Sequence, residues 1–337
     1  MITDTDTPPQ GSNANFIVAS TAEPFTVFGA PYSSGCSSLA ISVDSGTLDT
    51  SFASLEYDSA AGVHGLALSP ANDFIYSADD MGDATWVHSY DSSSGVVKEV
   101  QRMSAPTGAN PRHLVVHPNG LFVFVLYEEL SEIAVYSRDV ASGELTNTNT
   151  THLLIPSSES SLNELLYISR LIQYLAPTNT SSYWADEVLL SVPSTNSSTN
   201  APKYLICSTR SRETSAPGYV TAFSLDSVTG NIVEQLFIVP TTSSGGSANA
   251  VSPSTFSEDY FAITDSASNF VEFLEKTALS SLYNFPGKRF VFTRGQVQDM
   301  FQAYLASHRS PEELDNVGKQ GAMGQKLIWA QLLDGAA

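Results

Sequence analysis

The sequence predicts an all-β protein, a β-propeller of about five four-stranded blades followed by a partly helical C-terminal tail. Three observations predict it. One unit of paired apolar strands recurs along the chain, its turns carry the same residue types, and its inner strands are apolar on both faces. Composition agrees: 42% of residues are hydrophobic, only 15% are charged, and Ser, Thr and Val are abundant, a balance that favours strands and turns.

The unit is clearest in HGLALSPANDFIYSADD (64–80) and RHLVVHPNGLFVFVLYEE (112–129). Each reads as an apolar strand, a turn with Pro, a second apolar strand and an acidic end. Pro70 and Pro118 lie 48 residues apart. A third copy, SANAVSPSTFSEDYFAITD (247–265), is built around Pro253 with a turn two residues longer. A further strand follows each copy: ATWVHSYD, EIAVYSRD and NFVEFLE. Four short strands per 40–50 residues is the pattern of a propeller blade. Runs such as LFVFVLY suit a strand packed on both faces. The turns PNG, DSSSG (91–95) and DSVTG (226–230) supply the residues that tight turns need.

In chain order, residues 1–60 hold strands for one and a part blades, and 64–150 hold two clear blades. Residues 151–200 are Ser/Thr/Asn-rich and include a helical-looking stretch, SLNELLYISRLIQYL, within a long loop or insertion. Residues 201–275 supply most of two more blades. From about 276 the spacing becomes helical and the blade pattern stops. The expected domains are therefore a propeller over 1–275 and a separate tail over 276–337.

The formal net charge is −20, which repels phosphate backbones and anionic lipid, so neither nucleic acid nor membrane is an expected partner. No apolar run is long enough to span a bilayer. The first residues have neither a basic nor an apolar leader region, and two cysteines form no disulfide framework, so a cytoplasmic setting is expected over secretion. HExxH, G-x-S-x-G and Gly-rich phosphate loops are absent, and no cofactor or metal is implied.

The register also places polar residues. His64, Arg112 and Ser247 each lie six residues before the Pro of their copy, at the start of a first strand. The second strand returns to the same rim, ending near Asp80 and Glu128, and KYLICSTR overlays DFIYSADD, so Arg210 takes a similar end. His64, Arg112, Glu128 and Arg210 are thus expected at one mouth of the central channel. His113 and His117 read as structural, and Asp80 and Asp265 as turn caps.

The segments VHGLALSP, YSADD, NPRHLVVHPNG, LYEE, CSTR, GYVTAFSL and SGGSANAVSP resemble the fungal 3-carboxy-cis,cis-muconate lactonising enzymes, seven-bladed propellers of the wider lactonase family, over about residues 10–273. The resemblance implies a cycloisomerase of aromatic-acid catabolism (the β-ketoadipate pathway), acting on a small anionic carboxylate. It also implies His64 and Glu128 as catalytic groups and Arg112 and Arg210 as substrate-binding ones. Ser247 stands where the family usually has His, and joins the substrate-binding set. A 6-phosphogluconolactonase-like hydrolase and a non-catalytic propeller fragment are the competing readings. Against the family pattern the chain starts about two blades late, and the exposed strand edges of an incomplete ring favour pairing with another copy.

In the implied reaction a substrate carboxylate adds across a conjugated double bond and a proton goes to carbon. Two Arg forks suit two carboxylates. His64 titrates near working pH and is the expected acid, with Glu128 as its orienter or as a base.

Overall fold

The computed structural model describes residues 14–44, 47–156, 180–193, 201–246, 249–255, 257–265, 270–275 and 290–293. Among them lie twenty strands in five sheets of four. Each sheet is one blade, and its strands pair antiparallel in sequence order. Blade 1 holds β1 (Phe16–Ala19), β2 (Thr26–Ala30), β3 (Ser38–Asp44) and β4 (Thr47–Leu55). Blade 2 holds β5 (Val63–Leu68), β6 (Phe74–Asp79), β7 (Ala84–Asp91) and β8 (Val96–Ser104). Blade 3 holds β9 (Pro111–Val116), β10 (Phe122–Tyr127), β11 (Glu132–Arg138) and β12 (Leu145–Leu153). Blade 4 holds β13 (Tyr183–Leu190), β14 (Tyr204–Ser211), β15 (Tyr219–Leu225) and β16 (Ile232–Pro240). Blade 5 holds β17 (Val251–Pro253), β18 (Tyr260–Asp265), β19 (Phe270–Glu275) and β20 (Phe290–Thr293).

The expected all-β propeller of about five blades is therefore what the chain forms, with three adjustments. Residues 16–55 make one blade, because β2 supplies a strand that the sequence pattern did not separate. The Ser/Thr/Asn-rich region contains β13, the inner strand of blade 4. A fourth strand, β20, pairs with β19 beyond the expected boundary at 275. The helical-looking stretch and most of 276–337 lie outside the described residues.

Where a blade has a described neighbour on each side, both faces of its sheet are buried, as in blade 3. Along β10, Val123, Val125 and Tyr127 pack with Tyr76 and Val87 of blade 2, whereas Phe124 and Leu126 pack with Leu205, Cys207 and Phe223 of blade 4. The period-2 alternation of a strand sends successive side chains to opposite neighbours. Phe28, Leu66 and Ile75 join blades 1 and 2, and Ile206, Phe237 and Phe261 join blades 4 and 5. The innermost strands touch in sequence, β1 on β5, β5 on β9, β9 on β13 and β13 on β17, so residues at their starts share one rim.

Candidate active site

One backbone hydrogen bond repeats in all five blades and defines their true register. It runs from Ser20 N to Thr26 O (2.9 Å), Ser69 N to Phe74 O (2.9 Å), His117 N to Phe122 O (2.9 Å), Ser191 N to Tyr204 O (2.8 Å) and Ser254 N to Tyr260 O (3.0 Å). Counting back five residues from each donor gives Asn15, His64, Arg112, Asp186 and Asn249. Counting forward six from each acceptor gives Tyr32, Asp80, Glu128 and Arg210, with the fifth place at 266, outside the described residues. Two rings of polar side chains thus line one rim, one ring per strand.

Local backbone irregularity aims the first ring. The strand pairing skips His64 between Val63 and Gly65, Arg112 between Pro111 and His113, and Asp186 between Ala185 and Glu187. Such bulges redirect a side chain out of the ladder. A Cβ on Gly65 would stand 2.6 Å from Arg112 O and 2.8 Å from His113 Cδ2, so this glycine lets β9 approach β5 closely.

His64, Arg112, Glu128 and Arg210 converge as the register predicted. Glu128 bridges the two arginines: Oε2 accepts from Arg112 Nη1 at 3.1 Å and Oε1 from Arg210 Nη2 at 2.7 Å. Arg112 also reaches Asp186, with Nη2 2.7 Å from Oδ1 and Nε donating to the backbone oxygen at 3.1 Å. Arg210 lies over the Trp184 ring at 4.7 Å, Arg212 lies over it at 4.2 Å, and Trp184 Nε1 donates to Glu129 at 2.8 Å. The other Asp186 oxygen accepts from Asn249 N, whose side chain donates to Thr209 O at 3.0 Å. Both guanidinium groups are therefore countered by the carboxylates of Glu128 and Asp186, and that of Arg210 also lies over the Trp184 ring. They are not bare forks awaiting a ligand. Burial opposes the Arg112 charge, but Asp186 and Glu128 overcome it and strengthen it.

His64 differs from the expectation of a near-neutral acid. Burial first, then Arg112, His113 and Arg210, pushes its pKa down to about 2, so the resting ring is neutral. Glu128 does not orient it either, because both Glu128 oxygens serve the arginines. Instead His64 Nδ1 lies 3.1 Å from His113 Nε2, and His64 Nε2 lies 3.0 Å from Asn15 Nδ2. Tyr32 packs edge-on against His64 at 4.6 Å and donates its hydroxyl to Asp80. Burial and Asp80 push the Tyr32 phenol up, which keeps that proton on oxygen. Asp80 thus lies in the site and does more than cap a turn.

Ser247 lies outside the described residues, and the register assigns its expected place in the ring to Asn249. Counting from Pro253 misplaced it, since that proline sits in β17 paired with Phe261, two residues earlier in the register than Pro70 and Pro118 in their copies. Asp265 pairs with Phe270 as Asp79 pairs with Ala84, so it precedes the rim position. Sequence reasoning missed Asp186, Glu187 and Trp184 because β13 has no Pro-turn copy to align. It also read His113 as structural, although His113 touches His64.

Comparison with known proteins now bears on this geometry. The family model described as a seven-bladed β-propeller lactonase matches residues 2–167. A carboxy-cis,cis-muconate cyclase from Neurospora crassa is 30% identical over 272 residues, covering 80% of this chain and 68% of that protein. The chain belongs to the seven-bladed β-propeller lactonase family. A 6-phosphogluconolactonase from Pectobacterium carotovorum is 31% identical over 127 residues, only 37% of each chain. The periplasmic gluconolactonase of Pseudomonas aeruginosa shares the lactonase propeller fold at a TM-score of 0.60 and 15% identity, covering 84% of this chain and 71% of that one.

Proposed function

We propose that this chain carries the carboxy-cis,cis-muconate cyclase activity of its Neurospora relative, interconverting a 3-carboxy-cis,cis-muconate and its lactone in aromatic-acid catabolism. One observation carries the reading: two guanidinium groups fixed by Glu128 stand on the same rim as a neutral imidazole. The arginines orient carboxylates by charge and planar donor geometry. Each guanidinium has five N–H groups, so Arg112 keeps donors beyond those it spends on Glu128 and Asp186. His64 exchanges the proton with the substrate carbon. Glu128 holds the two forks apart at a set spacing and limits how much anionic charge the site accepts. The small anionic carboxylate enters at the rim, and the chemistry needs no cofactor.

Loss of the conjugated-diene absorbance on mixing the purified chain with 3-carboxy-cis,cis-muconate tests this. Arg112→Lys should raise KM roughly tenfold, because Lys offers a point charge in place of a fork. Hydrolysis of 6-phosphogluconolactone without any diene loss would replace this reading with the lactonase one. Inertness towards both would leave a non-catalytic propeller.

A further inference from the structure

We propose that His113 and Glu187 act with His64 as a proton relay, in which the proton enters or leaves at His64 Nε2 while the positive charge rests on His113 beside Glu187. This rests on the cyclase reading for its substrate but not for its geometry. Glu187 Oε1 lies 2.9 Å from His113 Nδ1, His113 Nε2 lies 3.1 Å from His64 Nδ1, and His64 Nε2 faces the side-chain amide of the exposed Asn15 at 3.0 Å. All three side chains of the relay are largely shielded, with 9% of the His113 side chain and 15% of the Glu187 side chain exposed.

The order of donors follows from the end of the chain. A carboxylate only accepts, so the hydrogen that suits the 2.9 Å approach of Glu187 is one on His113 Nδ1, although that contact is an ion pair without hydrogen-bond alignment. In a neutral ring its Nε2 is then a lone pair, which requires hydrogen on His64 Nδ1. His64 Nε2 is left as a lone pair, the one nitrogen of the pair that looks toward the rim and meets an N–H from Asn15. This assignment satisfies the His64–His113 and His64–Asn15 contacts, and Glu187 stands beside His113 Nδ1 as a close ion-pair partner whose alignment falls short of a hydrogen bond.

The relay answers a difficulty in the site. A positive charge on His64 would sit beside Arg112 and Arg210, the groups that already disfavour it. A charge on His113 instead meets Glu187. When the lactone opens, a ring C–H bond breaks and its proton bonds to His64 Nε2. The C–H electron pair becomes the new double bond, and the ring C–O pair leaves as a carboxylate. The His64 Nδ1–H bond breaks as that proton moves to His113 Nε2, leaving neutral His64 and an imidazolium at His113. Closure runs the same steps backwards. His113 and Glu187 are positioning residues, since neither touches the substrate. Charged and titratable groups facing the pair are Arg112, Arg210 and Tyr32, with Asp80 behind the Tyr32 hydroxyl and Glu128 and Asp186 behind the arginines.

The test is ¹⁵N NMR of the histidine rings in the full chain, followed by kinetics of Glu187→Gln and Glu187→Asp. We expect resting His64 protonated on Nδ1 and bare on Nε2. Glu187→Gln should lower the pH at which the His64–His113 pair takes up a proton. It should also cut kcat about a hundredfold with KM within about twofold, the scale of a lost acid–base contribution. Glu187→Asp, which keeps the charge, should restore most of both. His64 protonated on Nε2 at rest, or a pair titration that Glu187→Gln leaves in place, overturns the relay. A chain with the expected tautomers but no turnover of muconate would keep the relay and sink the cyclase reading.

Discussion

At the residue scale, His64 has the clearest consequence. Its folded pKa lies far below the ordinary value near 6.5, so the unfolded chain binds a proton that the folded one refuses. The stability from this site is fully present above about pH 6.5 and is lost progressively as pH falls, because unfolding is then coupled to proton uptake. His88, His117 and His152 are pushed the same way by burial. We therefore expect denaturation midpoints to drop between about pH 7 and pH 5, and His64→Gln to shrink that slope while the other histidines keep part of it. An unchanged slope in urea titrations of the variant would show that His64 titrates freely in the folded protein. This residue also marks where sequence reading reached its limit. Its position was legible from a six-residue offset to a proline. Its charge state was not, because that depends on burial and on arginines 48 and 146 residues away.

At the element scale, the outer hairpin of a blade uses one turn three times. Asp91, Asp139 and Asp226 each accept from backbone N–H groups two and three residues on. Gly95, Gly143 and Gly230 close these turns at φ of 71°, 76° and 76°, donating back to the Asp backbone oxygen at 2.8, 3.0 and 2.8 Å. Two of the three turns were legible as D-S-x-x-G, and DVASG is the third once the blades are aligned. Only glycine adopts this backbone without strain. At Gly143 a Cβ would also stand 2.3 Å from the Phe74 ring of blade 2. Gly143→Ala should therefore cost more than the roughly 1–2 kcal/mol of a left-handed alanine, read as a lowered urea midpoint at unchanged m-value. A midpoint within error of the parent would mean that the blade 2–blade 3 contact at this turn yields freely.

At the scale of the whole molecule, neighbouring blades share apolar clusters that span their sheets. Phe124 is fully buried in the cluster shared by blades 3 and 4, the two blades that carry Arg112, Glu128 and Arg210. Phe124→Ala should destabilise the fold by about 3–5 kcal/mol through lost transfer energy and a cavity. It should also loosen the bridge between Glu128 and Arg210, so activity should fall before global unfolding. Parallel thermal melts and activity assays check this, and loss of stability with activity retained to the melt would uncouple packing from the site.

The sequence by itself determined the repeat, the strand type and the alternation that buries both faces of a strand such as β10 between two neighbouring blades. It also determined that His64, Arg112, Glu128 and Arg210 share a rim, because equal offsets in equal units land on equal places. Tertiary structure alone decided the rest: that Asp186 and Asn249 complete the ring, that Glu128 ties both arginines, and that His113 and Glu187 stand behind His64. The physical reason is that register along one strand is a local property. Ion pairing, desolvation and ring contacts belong to side chains from different blades, and only closing the blades around their axis brings those together.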